Sequence, residues 1–168
     1  MKNESAAERD PYGVDAHAPG AKLDSGKPRA GLCLLGFLPA LTTLDPADHD
    51  YGVIVDAVRR WPRALMEVAK VTTVGADKYT PDGWKQVPDG YSRYLDAWGR
   101  HILAIGRGEE FDDGPGGTGC LHLACAAWNM LAALSLCESE EGENRIFRMT
   151  ISTLNDLEEK MQSQEGAQ

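Results

Sequence analysis

The sequence holds 168 residues, 42% of them hydrophobic, which suits one domain with a real core and little beyond it except tails. A formal net charge of −9 and a pI near 4.9 argue against broad contact with nucleic-acid backbones. Small phosphate ligands stay open, because bound divalent cations reverse a local field.

No apolar run approaches the roughly 20 residues that span a bilayer. Met1-Lys2-Asn3-Glu4 lacks the start of a signal peptide. The expectation is a cytoplasmic protein with neither a membrane nor a nucleic-acid partner. Cys33, Cys120, Cys125 and Cys137 make no C-x-x-C pair, so they read as buried or incidental thiols in a reducing compartment.

In chain order, residues 1–20 are polar, carry Pro11, Gly13, Pro19 and Gly20, and read as a flexible arm. Lys22 to Arg29 is basic and turn-rich. Leu32 to Leu44 is an apolar stretch that predicts a short helix interrupted or restarted at Pro39, and residues 45–50 read as a loop. Ile54 to about Val74 predicts a helix bent or restarted at Pro62, which lacks a backbone donor. Turns follow at residues 79–84 and 88–90. Tyr91 to Gly106 is periodic, with Tyr94, Trp98, His101 and Ile105 on one inward side. Glycines break the chain from Gly114 to Gly119, and Cys120 to Leu136 is apolar nearly all round, as a central buried helix is. Past an acidic linker, a last helix carries Phe147, Ile151, Leu154, Leu157 and Met161, spaced to pack on the body or on another subunit. Without βαβ alternation the fold class is all-α. The division is an arm (1–20), a domain (21–137) and a linker with an amphipathic helix (138–168).

Chemistry concentrates in a few places. His122, Ala126 and Asn129 share one narrow face of the central helix, with Cys125 nearby; the pair is either satisfied in the core or the wall of a pocket. His101 points inward from the preceding helix. Arg93, Asp96 and Arg100 cluster on its opposite face, read as solvated for Arg93 and as either solvated or lining a cleft or subunit interface for Asp96 and Arg100. Glu67 shares a side with Ala64, Val71 and Val74, so its buried carboxylate is held by Lys70 or by a metal. Glu109-x-x-Asp112 sits in an acidic run, read as one side of a helical turn able to chelate a hard cation, or as a solvated turn. His49-Asp50 lacks a helical setting for a metal dipeptide. The glycines 114–119 lack the lysine and strand of a P-loop.

Six stretches then fall into a familiar order over residues 21–136: Lys22-Leu23-Asp24-Ser25-Gly26-Lys27-Pro28-Arg29, Glu67-Val68-Ala69-Lys70-Val71, Gly75-Ala76-Asp77-Lys78-Tyr79 with Gly83-Trp84, Arg100-His101, Gly108-Glu109-Glu110-Phe111-Asp112, and His122-Leu123-Ala124-Cys125-Ala126-Ala127-Trp128-Asn129. The chain resembles the phage dATP/dGTP diphosphohydrolases, the MazZ branch related to the MazG-like all-α nucleotide pyrophosphohydrolases. That resemblance implies a MazG-like helical bundle completed by homo-oligomerisation as a dimer or tetramer. It implies cleavage between the α- and β-phosphates of dGTP or dATP, with Mg2+ or Mn2+, in the host cytoplasm. In phages that replace adenine by 2-aminoadenine, the dGMP so made feeds synthesis of the modified nucleotide.

Two departures stand out. The E-x-x-E of MazG-like enzymes is reduced to Glu67-x-x-Lys70, and Cys125 stands where relatives often carry a second histidine, so that position is not expected to be essential to metal binding. On this resemblance the metal ligands are Glu67, Asp96, Glu109 and Asp112, and the catalytic set is Glu67, Lys70, His101 and His122. Lys22, Lys27, Arg29, Lys78, Tyr79, Trp84, Arg100 and Asn129 bind substrate. The rival readings are a triphosphohydrolase releasing nucleoside and triphosphate, and a catalytically inert nucleotide-binding protein.

Overall fold

The computed structural model describes residues 18, 22, 24–44, 50–138 and 140–166, with the side chains of residues 50, 140 and 141 outside the description. Those residues form helices α1 (Ala30–Gly36), α2 (Leu38–Leu44), α3 (Asp50–Arg60), α4 (Pro62–Lys78), α5 (Gly90–Gly106), α6 (His122–Ser135) and α7 (Glu140–Glu165), with a 3-10 turn at Gly83–Gln86. No strand occurs among them beyond one isolated bridge between Phe111 and Leu121. The fold is all-α, as the sequence pattern requires. No helix of the described residues is long and apolar enough to cross a membrane.

Prolines place two of the breaks. Pro62 opens α4 at its first position, where a missing N–H costs nothing. The apolar stretch 32–44 breaks at Phe37 rather than at Pro39, because a proline in the first turn of α2 is tolerated. The expected arm lies outside the described residues apart from Ala18, as does His49. Asp50, expected in a loop, opens α3 instead.

Helix α6 is the axis. It packs against α2, α4, α5 and α7, which is why its sequence is apolar on every side. Phe37, Trp61, Met130, Leu131, Ile146, Leu154 and Leu157 are fully buried around it. Helix α7 lies on α4 and α6 and locks to α4 with polar groups. Trp61 cannot cap α4 with its side chain, so the Arg63 and Ala64 N–H groups donate to Glu158 at 2.8 and 2.9 Å. Trp61 Nε1 donates to Asn155 Oδ1 at 2.8 Å beside it.

Candidate active site

Between α5 and α6 the chain makes a closed loop outside any helix. Gly108, at φ +85°, ends the α5 region, and Glu109 and Asp112 follow in non-helical backbone rather than on the helical turn their spacing suggested. Asp112 N donates to Cys120 O at 2.9 Å, Gly119 N donates to Asp112 O at 3.0 Å, and His122 N donates to Glu110 O at 2.9 Å. Inside this loop Thr118 donates twice to Asp112 Oδ2, from its N–H at 2.9 Å and its hydroxyl at 3.0 Å. Asp112 Oδ1 has no protein hydrogen bond among the described residues. Gly117 passes so close that a Cβ there would lie 2.1 Å from the Asp112 carbonyl oxygen, which only glycine allows.

Two histidines meet beside it. His101 Nδ1 lies 2.9 Å from His122 Nδ1, and His122 Nε2 lies 3.7 Å from Glu109 Oε2, itself held by Arg107 Nε at 2.7 Å. Burial pushes the His101 imidazolium down; Asp112 raises it in part, and His122 and Arg100 lower it again. The balance favours its neutral form. Burial raises the Asp112 carboxyl, yet the two Thr118 donors, with His101 and His122 beside them, together outweigh it and hold Asp112 below its ordinary value. Cys125 adjoins both, with Sγ 3.3 Å from Thr118 Oγ1, and burial drives its thiol up to about 12.

A cavity of about 760 Å³ opens against this cluster, inside the roughly 300–1,000 Å³ range of small-molecule sites. His101, Cys125, Thr118 and Asn129 line its inner part, with Lys78, Tyr79, Trp84, Arg93, Asp96 and Arg100. Arg93, Asp96 and Arg100 thus line a cleft. Trp84 packs edge-on against Tyr94 and Trp128 and tilted against Phe37, while Tyr79 is 73% exposed beside Lys78. Lys78 Nζ donates to Gly116 O at 3.1 Å and ties α4 to the loop. Asn129 Nδ2 is spent on Cys125 O at 2.8 Å.

Other expected site residues stand apart. Glu67 is buried on α4 and bonded to Lys70, and neither lines the cavity. Lys22 pairs with Asp24 at 3.3 Å, Arg29 pairs with Asp77 at 3.7 Å, and Lys27 is exposed; none of the three lines the cavity. Ile105, expected inward, is 38% exposed. Sequence reasoning noted Cys125 beside His122 and Asn129 but left it out of the metal set, and it passed over Thr118. The signal for Cys125 was its place three residues after His122, on the polar side of an apolar helix.

Magnesium does not fit a cage here. The four carboxylates expected to hold it do not converge, and among the described residues the cluster of potential ligands is His101, Asp112 and Cys125, with one atom of each within 4.8 Å of the others. Magnesium takes oxygen; this set offers nitrogen, oxygen and sulfur.

No curated protein and no solved structure matches the chain. A family model described as dATP/dGTP diphosphohydrolase, N-terminal, matches residues 17–145, a span that contains the loop, both histidines and every cavity-lining side chain. The chain belongs to the dATP/dGTP diphosphohydrolase family, hydrolases of nucleoside triphosphates.

Proposed function

We propose that the chain cleaves dGTP, and dATP beside it, between the α- and β-phosphates, giving the deoxynucleoside monophosphate and pyrophosphate. The observation that carries this reading is that one cavity is lined by Lys78, Arg93 and Arg100 together with a partly buried His101. A triphosphate needs several cationic donors, and guanidinium forks match its paired oxygens. His101 presents an unprotonated nitrogen, able to orient or deprotonate a water. Tyr79 at the rim can stack on a base without being unpacked, whereas Trp84 is held by its aromatic neighbours.

Magnesium or manganese enters this reading on the substrate's phosphates, with Asp96 as the nearby carboxylate, because Mg2+ is commonly held by substrate phosphates and one or two carboxylates. In the biological setting that the resemblance implies, the dGMP supplies 2-aminoadenine nucleotide synthesis.

The test is incubation of the full chain with dGTP, dATP, GTP and dCTP, with Mg2+ or Mn2+, followed by chromatography of the products. Monophosphate and pyrophosphate, strongest from dGTP, are expected. Nucleoside plus triphosphate overturns the cleavage site, and binding without turnover overturns the enzyme.

A further inference from the structure

We infer that His101, Asp112 and Cys125 form a binding site for a transition-metal ion of the zinc or cobalt class, different in kind from magnesium carried by a nucleotide. Three observations converge on it. First, one ligand atom from each residue lies within 4.8 Å of the other two. A tetrahedral ion with donors at about 2.0–2.3 Å sets them about 3.3–3.8 Å apart, so closure draws each atom inward by less than about 1 Å. Second, imidazole, carboxylate and thiol together suit a borderline ion, and the sulfur disfavours one that demands oxygen.

Third, Asp112 and His101 are each held by a partner that leaves a donor atom free. Thr118 occupies Asp112 Oδ2 and leaves Oδ1 open. The contact of His101 Nδ1 with His122 Nδ1 leaves Nε2 to ligate, and in the ion-bound protein that nitrogen no longer serves as the base of the proposed function. His122 in turn faces Glu109. Chains of this kind behind a ligating histidine fix its tautomer and orientation. His122 and Glu109 are thus positioning residues. When the sulfur bonds the ion, the Cys125 S–H bond breaks and its proton goes to solvent.

Three protein ligands leave a coordination position open, and His101 and Cys125 both line the cavity. Sites built this way act on a bound oxygen, whereas structural zinc sites close with four ligands. The ion needs no nucleotide to bind, so the inference goes beyond the proposed function.

The experiment uses the full chain, stripped by a chelator and titrated with Co2+ in the absence of nucleotide. Saturation at one Co2+ per chain is expected, with a thiolate-to-cobalt charge-transfer band in the near ultraviolet. Cys125→Ser should remove that band. Cys120→Ser, which alters the thiol that interacts electrostatically with Cys125, should keep it. His122→Gln should weaken Co2+ binding by about 10–100-fold while leaving the band in place. No saturable Co2+ uptake, or a band that survives Cys125→Ser, overturns the site. Should Cys125→Ser lose the wild-type far-ultraviolet circular dichroism, His101→Gln decides: unchanged Co2+ affinity overturns the site, and its loss supports it. Hydrolysis of dGTP with Mg2+ is followed on separate aliquots, so failure of the hydrolase reading and failure of the ion site are read independently.

Discussion

Along the seam between α4 and α7, Glu158 accepts hydrogen bonds on both oxygens: Oε2 from the Arg63 and Ala64 N–H groups, Oε1 from the Arg63 guanidinium at 3.1 Å and Gln162 at 3.3 Å. At the loop between α5 and α6, Asp112 accepts on one oxygen only and leaves the other without a protein hydrogen bond among the described residues, in a carboxylate grouped with His101 and Cys125. Both groups are drawn into the body, and both are held below the ordinary carboxylate value. The difference lies in what remains unbonded. A carboxylate whose acceptor sites are filled by helix N–H groups serves the fold; one half-filled beside a cavity still has an atom for chemistry.

The sharpest way to break the comparison is Asp112→Asn. The amide oxygen can still accept from Thr118, so the loop should survive while the anionic, ligating oxygen is lost. The expected fall in dGTP turnover is on the order of 10²–10³-fold. The melting temperature should move by no more than about 4 °C, the equivalent of roughly 1 kcal/mol for a chain of this size. Full activity in Asp112→Asn would erase the functional half of the contrast.

Next comes a matched pair of glycines in the same loop. In Gly117→Ala the new methyl group meets the Asp112 carbonyl, so the loop must shift by about an ångström, which costs about 10²-fold when reacting groups are displaced. In Gly114→Ala nothing lies within 4 Å of the added carbon, and wild-type turnover is expected. Equal activities in the two variants would show that the loop does not position the site.

Much of this was legible in the sequence, and the misses have physical causes. The all-apolar run of α6 and the restart at Pro62 were plain. So were His101 facing inward and His122 with Asn129 on one face, because helical periodicity fixes them. Glu109 and Asp112 were placed on a helical turn because their spacing fits one, although Gly106 and Gly108 already marked the helix end. Cys125 was set aside because a cysteine in an apolar helix is equally at home in a core; only the approach of Asp112 through the loop gives it partners. Thr118 sits in a glycine run, and its bonding depends on how that run closes. Glu158 could not be singled out at all, since its partners lie about ninety residues away on another helix.

For the structural half, Glu158→Ala leaves two N–H groups of α4 and the Arg63 guanidinium without their acceptor. A loss of about 2–3 kcal/mol is expected, since a helix cap and a hydrogen bond to a charged group are lost together. For a domain of this size that lowers the melting temperature by about 4–12 °C. Turnover per folded molecule should be unchanged. A selective loss of activity at wild-type stability would reverse the roles assigned to the two carboxylates.

The smallest effect is one of pH, read from Glu158→Gln, which keeps the shape and removes the titration. Burial raises the Glu158 carboxyl, but the Ala64 N–H, the Arg63 guanidinium, Gln162 and the Arg63 N–H outweigh it and leave it below the ordinary glutamate value. A carboxyl depressed in the folded state stabilises the fold above its unfolded value, and that stabilisation fades as pH falls through the folded value. Wild type should therefore exceed Glu158→Gln in urea midpoint at pH 7, with the gap narrowing below about pH 4.5 as the carboxylate takes up its proton. Asp112 and His101 also titrate in acid, but both proteins carry them and their contributions cancel in the difference. A gap that stays constant down to pH 3 would mean that the seam between α4 and α7 is held by shape and neutral hydrogen bonds. The contrast with Asp112 would then rest on bond count alone and not on charge.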